Sequence, residues 1–123
     1  MIALTIEDGY FVSATIKQGG RETVVRGKAL VAAAGGFEAN IDCSKQYWNE
    51  TADNFLIRGT PFNRGDVLRM LLEGNKPSGN MFAAGEIMAW NVLGKGYLAG
   101  IGMTIGAVFG RLAGEGAVRH AQN

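Results

Sequence analysis

Four glycines, Gly102, Gly106, Gly110 and Gly114, recur at intervals of four in the apolar C-terminal part of this chain, and no other feature limits its fold as much. The pattern from about residue 99 to residue 120 is that of one long helix, so this spacing sets the glycines along a single, slowly drifting face without side chains. Each costs up to about 1 kcal/mol of helix stability relative to alanine. An offsetting gain is needed, and close packing of the bare face or a ligand approached at backbone distance would supply it. The apolar run of residues 97–110 ends at Arg111, short of the roughly 20 residues a membrane span requires. A GxxxG dimer within a membrane is thereby disfavoured. A helix packed tightly on a sheet and a backbone-lined ligand site remain as the two readings. In the second, Gly94, Gly96, Gly100 and Gly102 make a loop-to-helix entry whose first N–H groups point outward at a place suited to an anionic ligand edge; spacing alone does not choose between the two.

Composition narrows the remaining classes. At 123 residues one domain is expected, and 19 Gly against 2 Pro shows that the glycines belong to apolar segments rather than to a disordered linker. Twelve Lys and Arg against 11 Asp and Glu create no field that would recruit nucleic acid or an anionic membrane surface. One cysteine, Cys43, and one histidine, His120, exclude a disulfide framework and a structural zinc site, and they fit a reducing, cytoplasmic setting. Cys43 reads as a partly buried thiol. The start of the chain shows no basic n-region and no long apolar run, so export is not expected.

Along the chain, residues 2–6, 10–16 and 22–26 alternate or are β-branched, and they are separated by Glu7-Asp8-Gly9 and Gln18-Gly19-Gly20. This predicts a three-stranded antiparallel meander. Residues 28–34 carry an uninterrupted apolar run from Ala29 to Ala34, expected of a strand buried on both faces of a parallel sheet. A short helix follows, capped by Asn40 or Asp42 and ending at Tyr47-Trp48, then a loop over residues 49–64 and a second helix from Gly65-Asp66 to Leu72. The turn formers of residues 74–79 make a strong break. A short strand over residues 80–84 and a glycine-punctuated loop precede the long helix. The fold class expected is α/β.

The wording of several segments resembles one family. The strand of residues 28–34 with Gly35-Gly36-Phe37, then Gly65-Asp66, Met81-Phe82-Ala83-Ala84-Gly85-Glu86 and Val108-Phe109-Gly110-Arg111-Leu112-Ala113-Gly114 are similar, in this order, to stretches of the FAD-dependent fumarate reductase and succinate dehydrogenase flavoproteins. Within that family, Trp90-Asn91-Val92-Leu93-Gly94-Lys95-Gly96-Tyr97 is closest to the tricarballylate dehydrogenases, and Gly102-Met103-Thr104-Ile105-Gly106 is similar to a helix start of ketosteroid dehydrogenases. The resemblance implies FAD as cofactor, a small carboxylate as substrate and hydride transfer between the two. It also implies cofactor contacts at Ala34, Gly35, Gly36, Gly85, Glu86, Tyr97, Leu98, Gly100 and Gly102. Glu86 would accept hydroxyl hydrogen bonds from the ribityl or ribose groups, and the backbone of Tyr97 and Leu98 would meet the pyrimidine edge of the flavin.

The departures are as informative. Val92 stands where fumarate reductases carry a carboxylate-clamping Arg, and the point charge of Lys95 does not replace a bidentate clamp. No GxGxxG follows the first strand, and six turn-like residues stand where the family inserts its cap domain. The chain therefore reads as a partial FAD-binding domain, a Rossmann-like remnant. Residues 1–27 would be the meander, 28–73 a strand with helices, and 80–123 the flavin-facing strand, loop and helix. No catalytic residue or metal ligand is assigned. Arg58 and Arg64 read as solvated or salt-bridged, His120 as a helix-end residue, and Trp48 and Trp90 as core or interface aromatics. The function expected is that of an FAD-dependent oxidoreductase fragment, inactive alone. The alternative is a noncatalytic folding or interaction module that forms a homo-oligomer or completes a flavoprotein in trans, since an unpaired strand edge invites another chain.

Overall fold

Asp8 and Gly9 take positive φ (51° and 82°), as do Gly19 and Gly20 (56° and 80°), the handedness that lets a two-residue loop follow the twist of paired strands. Strands β1 (Ala3–Glu7), β2 (Tyr10–Gln18) and β3 (Arg21–Arg26) form an antiparallel sheet in the order β1-β2-β3, as the turn signals require. Phe11, Ser13 and Ala14 of β2 are buried, whereas β3 is exposed along its whole length. The protein's computed structural model describes residues 1–122 apart from Phe55, Ile57, Arg58 and residues 74–77 and 94–97; of Tyr47, Leu72, Glu73 and Trp90 only the backbone is described.

A second sheet pairs β4 (Leu30–Ala32) with β5 (Met81–Ala83) in parallel, Val31 facing Phe82. The parallel partner agrees with the sequence reading, but the extent and burial of β4 do not. The strand has three residues instead of seven, Val31 is 41% exposed, and Ala33 and Ala34 lie in the open. A strand with a neighbour on one side only, backed by a single long helix, leaves much of its surface to solvent, so the apolar run does not become a strand buried on both faces.

Helix α1 (Ile41–Trp48) is capped by Asn40 rather than Asp42, the Asn40 Oδ1 accepting from the Cys43 N–H at 3.1 Å. Residues Asn49–Asn54, expected as loop, make a 3-10 turn around the fully buried Ala52. Lys45 holds that turn, with its Nζ 2.8 Å from Asp53 and 3.2 Å from Glu50. The hydrogen bond to Asp53, then that to Glu50, raises Lys45 above the usual lysine range. Helix α2 (Asp66–Glu73) starts at the expected Gly65-Asp66, with the Arg69 N–H donating to the Gly65 carbonyl at 2.8 Å. The glycine-punctuated loop expected after β5 is a 3-10 turn (Gly85–Met88) running into α3 (Ala89–Leu93), because the buried Ile87 anchors it. Helix α4 (Ile101–Gln122) completes the chain.

Ile105 and Ala113 of α4 are buried, and the ring edge of Phe82 lies so close to the Cα of Gly116 that a Cβ there would overlap it. At the helix end, the Lys28 Nζ donates to the Ala121 carbonyl at 2.6 Å and His120 stacks on Tyr10 with ring centroids 6.0 Å apart. The glycine stripe is not what packs. Among the described residues Gly106, Gly110 and Gly114 have nothing within 4 Å of a Cβ position, and the close approaches to α4 glycines are at Gly102 and Gly116. Among the described residues no helix is long and apolar enough to cross a membrane.

The two sheets share no strand, and Asn80 joins them. It is 3% exposed. Its Oδ1 accepts from the Phe11 N–H (2.7 Å) and the Ser78 hydroxyl (3.0 Å), and its Nδ2 donates to the Phe11 (2.9 Å) and Lys28 (2.8 Å) carbonyls. Its own carbonyl accepts from the Leu30 N–H at 2.9 Å.

Replacing Asn80 with Ala leaves the buried N–H and carbonyl of Phe11 without these partners and removes the bond to the part-buried Lys28 carbonyl. The expected loss is about 2–4 kcal/mol in urea unfolding with an unchanged m-value. Gly116→Ala is expected to destabilise by about 1–3 kcal/mol through overlap with Phe82. Gly110→Ala, which meets open space, is expected to stabilise by about 0.5–1 kcal/mol; equal effects of the two glycine substitutions would contradict the packing described.

Candidate functional site

Beyond the carboxyl ends of β4 and β5 the chain makes two glycine turns whose geometry builds a site. Ala84 is still tied to the sheet, its N–H donating to the Ala32 carbonyl at 2.9 Å. Gly85 then turns with φ 75° and presents Glu86. The second turn precedes α4. The Ile101 N–H donates to the Leu98 carbonyl at 3.1 Å and Gly100 has φ 81°, which is the left-handed third position that a type II turn demands. The Gly100 carbonyl accepts from the Thr104 N–H (3.2 Å) and hydroxyl (3.3 Å), closing the first helical turn. The N–H groups of Gly102 and Met103 belong to that first turn and find no acceptor among the described residues.

These turns enclose an open hollow of about 480 Å³ lined by Gly85, Glu86, Gly100, Gly102 and Met103. The Glu86 Oε1 stands where a Cβ of Gly102 would be, so this helix position admits glycine for a local reason. Glu86 is exposed; its carbonyl accepts from the Ala89 N–H, and its carboxylate makes no hydrogen bond or ion pair among the described residues. Its carboxylate lies beside the first turn of α4. The site therefore offers two backbone donors, one carboxylate acceptor and a floor without side chains, an arrangement able to hold a polar, hydroxyl-bearing or anionic ligand edge.

Of the residues singled out from the sequence, Gly85, Glu86, Gly100 and Gly102 come together here. Leu98 precedes the second turn and is 61% exposed. Ala34, Gly35 and Gly36 follow β4, but their described neighbours lie elsewhere. Gly35 (φ 75°) sits against Asn63 and Gly36 against Glu38, and the Asn63 Nδ2 donates to the Glu38 Oε1 at 2.6 Å. Tyr97, Gly94, Gly96, Lys95 and Arg58 lie outside the described residues, as does the side chain of Trp90. Arg64 is exposed and its carbonyl accepts from the Asn40 Nδ2 at 3.1 Å. Trp48 stacks on Phe37 at 5.7 Å, and Cys43 is partly buried and free. Met103, 81% exposed at the rim, was not singled out; its place one residue after Gly102 in the first helical turn is the signal that finds it. No three His, Cys, Asp or Glu side chains among the described residues gather as metal ligands.

Gly102→Ala is expected to expel the Glu86 carboxylate from its place against α4, read as a shift of the Glu86 side-chain carboxyl resonance, whereas Gly106→Ala leaves that resonance in place. Because the carboxylate is a flexible end, both variants fold; an unmoved Glu86 signal in Gly102→Ala would contradict the contact. Compared with protein-family models, with curated proteins and with solved structures, the chain finds no match.

Proposed function

We propose that the chain is the flavin-facing part of an FAD-dependent oxidoreductase of the fumarate reductase and succinate dehydrogenase type, its second sheet and long helix a remnant of a Rossmann-like FAD-binding domain. One observation carries the reading. Gly85, Glu86, Gly100 and Gly102, assigned to the cofactor by sequence resemblance, line a single hollow beyond the carboxyl ends of a parallel strand pair, where ligands of open α/β sheets bind. The residues present suit such a group. Gly85 and Gly102 allow close backbone approach, Glu86 accepts hydroxyl hydrogen bonds, and the Gly102 and Met103 N–H groups face an electron-rich edge with the helix dipole behind them. FAD would supply the hydride acceptor for oxidation of a small carboxylate, with a tricarboxylate favoured by the resemblance of residues 90–97. The chain's own part is to bind and orient. No GxGxxG follows the first strand, so on this reading the pyrophosphate cradle comes from elsewhere.

A second reading, a noncatalytic module that associates with another chain, is favoured by the unpacked glycines of α4. Met103 and Val118 flank that face and are 81% and 54% exposed.

Titration of FAD into the protein, followed by flavin fluorescence and visible absorbance, tests the first reading. Weak saturable binding is expected, reduced about tenfold by Glu86→Ala, a loss of about 1.4 kcal/mol, and left unchanged by Glu38→Ala. Absence of binding, or binding indifferent to Glu86, would leave only the second reading standing.

A further inference from the structure

The outer edge of β3 is written for a specific partner. Strand β3 pairs with β2 on one side only, and all six of its residues are exposed, Val24 by 59% and Val25 by 47%. The two-residue turn Gly19-Gly20 closes on the pair Gln18 and Arg21, and the Gly27 N–H donates to the Val12 carbonyl at 3.4 Å. Hydrogen-bonded and non-bonded pairs alternate along an antiparallel ladder, so Arg21, Thr23 and Val25 use their backbone groups on β2. Glu22, Val24 and Arg26 direct theirs outward.

We propose that β3 pairs antiparallel with β3 of a second copy, Val24 opposite Val24, extending the meander into a six-stranded sheet across a two-fold axis. This inference is independent of the flavin reading. The two outward-facing rows bond only in registers that set outward residue against outward residue. The register centred on Val24 employs Glu22, Val24 and Arg26 of both copies, for about six interchain hydrogen bonds. It also sets Glu22 opposite Arg26 of the second copy, twice by symmetry. A slip of one residue would oppose Arg21 to Arg26 and pair outward groups with inward ones. Charge on an edge strand ordinarily blocks pairing; here the two signs meet. Lys17 already lies 3.6 Å from Glu22, and Arg26 has no ion-pair partner among the described residues. Pairing would therefore complete a row of alternating sign, Lys17, Glu22, then Arg26 of the second copy. On the opposite face it would bring Val25 of the second copy against Thr23, beside Ile16, which is 39% exposed. One strand seam falls below the roughly 800 Å² per partner of a standard stable interface, so the dimer is weak and concentration-dependent.

Sedimentation of the full chain over a concentration series tests this. The expected result is a monomer–dimer equilibrium. Glu22→Arg and Arg26→Glu should each weaken it about tenfold, and the double reversal Glu22→Arg/Arg26→Glu should restore it to within about threefold. Val24→Pro removes an outward N–H that the β2 ladder does not use and should abolish the dimer with the far-ultraviolet circular dichroism unchanged. A monomer at every accessible concentration overturns the proposal. A dimer insensitive to Glu22→Arg also overturns it and points to another face, such as the glycines of α4. So does a double reversal that fails to restore the affinity lost in the single variants.

Discussion

The buried side chain of Asn80 is the joint on which the arrangement of this protein turns. The antiparallel meander and the parallel pair are separate sheets, and the apolar core between elements is thin. Of the buried apolar residues, Phe11, Ile87 and Ile105 are large, whereas Ala14, Ala32, Ala52, Ala84 and Ala113 are alanines. Alanine burial removes little apolar area from water, so hydrophobic burial holds the two sheets together less firmly than in a core of larger side chains. Asn80 supplies a directional link instead, meeting the Phe11 backbone of β2, the Lys28 carbonyl before β4 and the Leu30 N–H within it. Both ends of the amide are satisfied, which is the condition under which a buried polar group specifies one geometry rather than costing stability.

Helix α4 carries that geometry to the candidate site. Its 22 residues span about 33 Å at 1.5 Å per residue. The hollow at its first turn therefore depends on contacts far along the helix: Ile105 and Ala113 in the core, Gly116 under Phe82, and the Lys28 and Tyr10 contacts at its last turn. Tyr10 leads into Phe11 and Lys28 precedes β4, so the residues that hold the end of α4 adjoin those that Asn80 joins. The meander, remote from the hollow, thus helps set where the start of α4 stands relative to Gly85 and Glu86.

Legibility in the sequence followed the range of the interaction. Asp8-Gly9 and Gly19-Gly20 announced two hairpins because positive φ is a property of the residues themselves. Asn40 announced a helix start because its cap bond spans three residues. The apolar run from Ala29 to Ala34 misled, because apolarity records the capacity for burial, and whether neighbouring strands cover both faces is not a local property. The 3-10 turn at Gly85–Met88 was hidden because it is held by burial of Ile87 and by packing on the distant α4, and that at Asn49–Asn54 because it is held against α1 by burial of Ala52 and by the ion pairs of Lys45. For the candidate site, Gly85, Glu86, Gly100 and Gly102 were legible as glycine turns and a carboxylate of familiar wording. Their gathering around one hollow depends on strand pairing and helix packing across the chain.

The glycines of α4 divide what each level decides. Their spacing by itself determined that one face of a long helix is bare, since periodicity and helix geometry suffice for that. Tertiary structure decided what each glycine is for. Gly102 lies under the Glu86 carboxylate, Gly116 under Phe82, and Gly106, Gly110 and Gly114 under nothing among the described residues. The physical reason is that residue spacing sets direction around a helix axis, while the surface that a direction meets is set by the packing of elements far apart in sequence.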